Sequence, residues 1–253
     1  MRLVGFSTGA LALGDFRKGL ELLRGTDAQA VELSALREHE LPSLVHALDG
    51  LSLEQFGYVS VHAPSRLASL AEKDVVRMLL PCLGHGFRVV LHPDAIQDPG
   101  GWREFGRALC IENMDKRKPT GRTASELQRF FADLPEASLC LDLAHARQVD
   151  TTLAVARFIL AEFGAERVAQ VHLSELDARS HHGPLSMGAV HVFRSMAHWV
   201  PDVPVILESV VTEDGIAAEL ELARRCFEVQ EVATASSEEP LVTPVPAKKL
   251  RSA

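Results

Sequence analysis

The chain has 253 residues, 47% of them hydrophobic and 24% charged, with a formal net charge of −8. That length suits one large domain or two small ones, and the acidity excludes recognition of nucleic acid by bulk positive charge while leaving room for a local basic cleft. No apolar run is long enough to span a bilayer and no signal-peptide pattern opens the chain; Cys82, Cys110, Cys140 and Cys226 sit in apolar runs without Cys-x-x-Cys spacing, so the expectation is a cytoplasmic protein with reduced cysteines.

Strand-like runs alternate with amphipathic, helix-like runs along the chain. Arg2–Phe6 precedes a helical stretch at Asp15–Leu23, and Ala30–Leu33 precedes one at Glu38–Leu48. Tyr58–Val61 ends at His62 before a helix at Ala71–Leu83; Phe87–Leu91 ends at His92 before a weak helix at Trp102–Arg107. Ala108–Ile111 ends at Glu112 and leads through a basic loop to a helix at Thr123–Ala132. Ser138–Leu141 ends at Asp142, with a helix at Thr151–Phe163; Arg167–Val171 ends at His172, with a His-rich loop and a helix at Ala189–Trp199. Val203–Leu207 ends at Glu208 before a last helix at Asp214–Phe227.

Eight strand–helix units over residues 1–228 predict an α/β fold, a single-domain (β/α)8 TIM barrel. A doubly wound sheet is the rival, but Gly5-Phe-Ser-Thr-Gly9 does not supply its Gly-rich first turn. From about Ala233 the sequence turns to Ser, Glu, Pro and Lys without a period, so 233–253 reads as a disordered C-terminal tail.

The most informative stretch is Leu139-Cys-Leu-Asp142-Leu-Ala-His145-Ala, an apolar run ending on a carboxylate with an imidazole three residues later. Asp142 alone could cap the next helix. The same design recurs, however: the strand ends read Glu32 (inside the second run), His62, His92, Glu112, Asp142, His172 and Glu208. A barrel gathers these ends on one face. Seven buried polar groups each need a partner, and a shared set of divalent metal ions satisfies them together. Mixed imidazole and carboxylate ligands suit zinc, manganese and iron alike.

The series resembles the xylose isomerase-like TIM-barrel superfamily, which includes sugar isomerases and epimerases and the endonuclease IV family. The resemblance implies one to three metal ions. Glu112, Asp142, His172 and Glu208 match the four-ligand site of the single-metal epimerases. His62 and His92 look like the extra imidazoles of the endonuclease IV branch, which bind a first zinc together with the carboxylate matching Glu112. His145 and one of His181 or His182 look like ligands of a third ion. The loop departs from that branch, because Asp177 precedes His181 by four residues where the motif has two, and Met187 falls near its Glu position.

Other residues carry two readings. Glu32 is either a catalytic or substrate-binding carboxylate or a salt-bridged residue of the barrel mouth. Lys116, Arg117 and Arg122, with Arg66 and Arg179, are candidates to clamp a phosphate or carboxylate, or else solvated surface charge. His39, His46, His85, His191 and His198 fall on presumed helices or outer loops. No Gly-x-Ser-x-Gly elbow, Walker loop or dinucleotide fingerprint is present.

The leading expectation is a metal-dependent isomerase or epimerase of a small sugar or sugar-phosphate-like substrate, with Glu112 and Glu208 moving the proton. The alternative is a multinuclear phosphoesterase of the endonuclease IV kind, which His62 and His92 favour and for which nucleic acid would be the partner. A third class is a non-catalytic metal-binding protein that docks a partner through its tail. No membrane association is expected, and the oligomeric state is open.

Overall fold

Alternate residues of a strand point to opposite faces, and the strand runs divide cleanly on that period. Val31 and Leu33, Val89 and Leu91, Leu109 and Ile111, Leu139 and Leu141, Val171 and Leu173, and Val205 and Leu207 form one set, all fully or almost fully buried in the main core beneath the helices. The residues between them, among them Glu32, Ser60, His62, Glu112, Asp142, Gln170 and His172, are buried too but polar. Val90, Cys110 and Cys140 make a small separate apolar cluster on that second face. A sheet with apolar residues on both faces must be covered on both, which a closed barrel wrapped in helices achieves.

The computed structural model describes residues 2–228 and has that form. Its strands are β1 (Val4–Ser7), β2 (Ala30–Ser34), β3 (Tyr58–His62), β4 (Arg88–Leu91), β5 (Leu109–Glu112), β6 (Ser138–Asp142), β7 (Val168–Leu173), β8 (Glu175–Leu176), β9 (His182–Gly183) and β10 (Val205–Leu207). β1 to β7 and β10 pair in sequence order, all parallel, and β10 closes on β1, giving the eight-stranded TIM barrel. Gly5 lies where a Cβ would come within 1.5 Å of the Ala30 carbonyl oxygen, so only glycine lets β1 approach β2 this closely.

The outer helices include Phe16–Leu23, Leu41–Ala47, Glu72–Leu79, Ala124–Asp133, Ala154–Phe163, Met187–Arg194 and Ile216–Arg225. The predicted Trp102–Arg107 helix is two short pieces, Pro99–Trp102 and Arg103–Ala108, the second interrupted where Gly106 takes φ +47°. Two features escape a period-based reading: the five-residue helix Thr8–Ala12, and the antiparallel β8–β9 hairpin inside the His-rich loop. Both are shorter than a repeat that periodicity can register. The 233–253 segment lies outside the described residues, among which no helix is long and apolar enough to cross a membrane.

Phe193, on the helix Met187–Arg194, is fully buried in the main core. Phe193→Ala should destabilise the protein by about 3–5 kcal/mol in urea denaturation; a loss under ~1 kcal/mol would mean that this helix contributes little to the core.

Candidate metal centre

The strand ends deliver their side chains to one level of the barrel. β3 ends on His62, β5 on Glu112 and β6 on Asp142, and His92 and Glu208 directly follow β4 and β10. Asp142 pairs in register with His172 of β7. Asn113 locks two of these ends together, its side-chain amide donating to the Asp142 carbonyl and its Oδ1 accepting from the Asp142 N–H, both at 2.8 Å.

Glu112 is at the middle, 1% exposed and shared between four imidazoles. Its Oε2 lies 3.3 Å from His62 Nε2 and 3.2 Å from His92 Nε2. Its Oε1 lies 3.1 Å from His145 Nδ1 and 3.3 Å from His172 Nδ1. Two groups of side chains that could hold an ion share it: His62, His92 and Glu112, and Glu112, Asp142, His172 and Glu208, with ligand atoms within 4.8 Å of one another in each. Glu32, His62 and Glu208 form a third group of the same spread.

The buried charge is strongly perturbed. Burial pushes the Glu112 carboxyl up, but His172, His145 and His62 outweigh it and hold it well below its ordinary range. Burial works against a charged His62 as well, yet Glu112 and Glu32 raise it to about 9. His145 rises to about 10 in the same way, through Asp142 and Glu112. Burial raises Asp142 to about 7 and lifts Glu208 from its usual value, while burial and the His145 charge press His182 down to about 4. The carboxylates thus demand cations at this level, a demand that divalent ions meet as well as protons do.

The two oxygens of Asp142 have different surroundings. Oδ1 accepts from the His145 N–H at 2.7 Å and caps the helix Leu143–Val149. Oδ2 is buried, 3.2 Å from His145 Nδ1 but outside hydrogen-bond geometry, and has no hydrogen-bond partner. A buried carboxylate oxygen without a hydrogen-bond partner fits the ligand of a cation. Imidazole and carboxylate donors, with this oxygen spare, fit a divalent metal.

Glu32 is placed deeper than a substrate group. It is fully buried and accepts at Oε2 from Ser60 Oγ (2.8 Å) and Gln170 Nε2 (2.8 Å), with His172 Nε2 at 3.1 Å and Gln170 held in turn by Tyr58 Oη. His172 and His62 with this network outweigh its burial and hold it at about 2. Its position backs His172 on the side away from Glu112, and it does not line the cavity above. Ser60, Tyr58 and Gln170 went unnoticed in the sequence; their signal is only that polar residues fall on the inward period of β3 and β7.

The loop after β7 separates the paired histidines. Asp177 binds the N–H groups of Arg179 and His181 and lies 3.1 Å from His181 Nδ1, turning that imidazole outward to 69% exposure. His182, paired with Leu176 across the hairpin, faces inward, 2.9 Å from Ser174 Oγ and 3.5 Å from Glu208 Oε2. Its ring centroid is 5.8 Å from that of His145. Among the described residues neither His145 nor His182 joins a three-ligand group, because Asp177 is spent on the turn.

A cavity of about 220 Å³ opens over the centre, lined by His62, His92, Glu112, His145, His182 and Glu208 and on its rim by Arg117 and Lys118. The other basic candidates lie elsewhere. Arg122 is bidentate to Glu126, Lys116 borders a neighbouring cleft, and Arg66 and Arg179 are exposed. Arg117 is itself committed to Asp115 at 2.6 and 2.9 Å. Lys118, unremarked within its basic run, reaches Asp94 and His92. His39, His46, His85, His191 and His198 are all exposed.

No family model and no curated protein matches the chain. Among solved structures it is similar to endonuclease IV from Thermus thermophilus, at 22% identity and TM-score 0.60, over 89% of this chain and 98% of that one. It is also similar to 3-keto-D-glucoside 4-epimerase from E. coli (15%, TM-score 0.54, 89% and 99%). A xylose isomerase-like TIM barrel protein from Mycobacterium smegmatis in complex with magnesium matches at 13% and TM-score 0.54, over 89% and 96%. The chain therefore has the fold that its strand-end series resembles.

Two outcomes test the centre. Chelator-stripped protein should gain about 5–10 °C in Tm with zinc at a hundred times Kd, the linkage expected for an ion bound only by the folded chain; an unchanged Tm would remove the metal assignment. Glu32→Gln should weaken metal binding about ten- to a hundredfold in calorimetry, as loss of a partner behind a ligating histidine does, with the circular dichroism unchanged.

Proposed function

We propose that the protein is a metal-dependent phosphoesterase in which His62, His92 and Glu112 would hold one divalent ion and Glu112, Asp142, His172 and Glu208 a second. The observation that carries this reading is the division of Glu112, one oxygen toward His62 and His92 and the other toward His145 and His172. A single-ion isomerase has no use for the first pair. The bound ions would supply the Lewis acidity that activates a water and neutralises phosphate oxygens.

The chain's own residues do the rest. Glu208, its carboxyl raised by burial and its side chain on the cavity wall, takes the proton of the attacking water. His182, whose Nδ1 is 2.9 Å from Ser174 Oγ, stands 3.5 Å from Glu208 Oε2 on the same wall. Arg117 and Lys118 border the cavity where an anionic substrate enters. The likeness to endonuclease IV supports this reading at the level of fold, and the small cavity and net acidity point to an exposed phosphoester, not a tracked duplex groove.

A second reading keeps a sugar isomerase or epimerase, because Glu112, Asp142, His172 and Glu208 already form a complete set for one ion, with two carboxylates for proton transfer. Ion count separates the two. Protein equilibrated with excess zinc should bind two equivalents and hydrolyse bis(p-nitrophenyl) phosphate; saturation at one equivalent with turnover of keto-sugars would replace the phosphoesterase reading by the isomerase. Joint replacement of His62 and His92 by Ala should remove one ion and spare the other. Glu112→Gln should lower both metal content and hydrolysis, the latter about a thousandfold or more, and an active variant would dismiss Glu112 as the bridge.

A further inference from the structure

His62 and His92 present the same atom, Nε2, to the same oxygen of Glu112, yet their outer nitrogens meet opposite partners. His62 Nδ1 lies 2.7 Å from the Ala63 carbonyl, which only accepts. Nδ1 therefore carries a proton, and Nε2 is the nitrogen from which an ion facing Glu112 would displace the other. His92 Nδ1 lies 3.2 Å from Lys118 Nζ, and an ammonium only donates. The three N–H groups of Lys118 find three acceptors: the Asp94 carboxylate (2.8 and 3.1 Å), the Ser65 carbonyl (3.3 Å) and His92 Nδ1. With Nδ1 accepting, the neutral His92 ring carries its proton on Nε2, pointing at Glu112 Oε2.

A ligating nitrogen must be bare, and a metal-bound histidine ordinarily gives its other N–H to an acceptor. His62 has that arrangement, its Nδ1–H given to the Ala63 carbonyl. His92 has it reversed. The lysine is held in place by its loop: the Met114 N–H binds the Gly121 carbonyl at 2.8 Å, and Gly121, at φ +85°, lies so close to Pro93 that a Cβ would fall 2.4 Å from its Cγ. That contact brings Lys118 down beside the residue preceding Pro93, which is His92.

We propose that Lys118 holds His92 in the tautomer that excludes an ion from its Nε2. The ion shared by His62, His92 and Glu112 then binds more weakly than the one at Glu112, Asp142, His172 and Glu208, and enters only when Lys118 gives up His92. Lys118 needs no large movement for this, since Asp94 and Ser65 retain it. The inference rests on the two-ion reading above for its metal consequence, but not for the tautomer itself.

Long-range 1H–15N spectra of the chelator-stripped full-length chain, with signals assigned through His92→Ala and His62→Ala, read the tautomers directly. His92 should carry Nε2–H and His62 Nδ1–H; an Nδ1–H on His92 overturns the proposal whether or not the protein binds metal. Zinc titration of the same material should show two classes of site, the weaker lost in His92→Ala. Lys118→Met should convert His92 to Nδ1–H and tighten the weaker class about tenfold or more, leaving the stronger class unchanged, whereas Lys118→Arg, which also only donates, should keep it weak. Two equal classes in the unsubstituted protein, or the same tightening from Lys116→Met on the neighbouring cleft, would overturn the assignment to Lys118. No zinc binding at all would remove the two-ion reading and leave the tautomer result to stand.

Discussion

One buried carboxylate, Glu112, constrains the rest of the centre. At 1% exposure it cannot be left to water, and a desolvated charge is tolerated only when paired. Four imidazoles from β3, β7 and the segments after β4 and β6 surround it, so four strand connections must end at one height. The parallel register of the barrel supplies that common height. The elevated His62 and His145 and the depressed Glu112 are the electrostatic record of the same packing.

Beneath this level the barrel interior changes character twice. Tyr58, Ser60, Glu32 and Gln170 form a hydrogen-bonded layer that backs His172. Val90, Cys110 and Cys140 form an apolar patch of their own on the same inward face. The polar layer gives Glu32 a role different from the one its strand position suggests: it backs an imidazole and does not line the cavity. A group that orients a ligating residue acts on metal affinity first and on chemistry only through it.

The basic run after Glu112 shows how far charge composition can mislead. Arg122 is bound by Glu126 and Arg117 by Asp115, while Lys118 is divided between Asp94, Ser65 and His92. Each acid lies within the sequence neighbourhood or on an adjacent loop, so the run folds onto itself. Only its two central residues reach the cavity rim.

The sequence by itself determined the eight-unit α/β repeat and the polar residues at its strand ends, because both are local: side chains alternate along a strand, and a carboxylate or imidazole after an apolar run needs no distant information to be noticed. It also carried the helix cap at Asp142, whose signal is a carboxylate directly before a helical run. Tertiary structure alone decided the rest. Which of His181 and His182 faces inward depended on a two-residue hairpin and on Asp177 turning its own loop, neither of which has a period. That Glu112 is divided between two pairs of imidazoles, that Glu32 stands behind His172, and that Lys118 meets the outer nitrogen of His92 are facts of closure. They arise when residues 20 to 140 positions apart in the chain are brought within hydrogen-bond distance by the barrel, and no local pattern encodes such a distance.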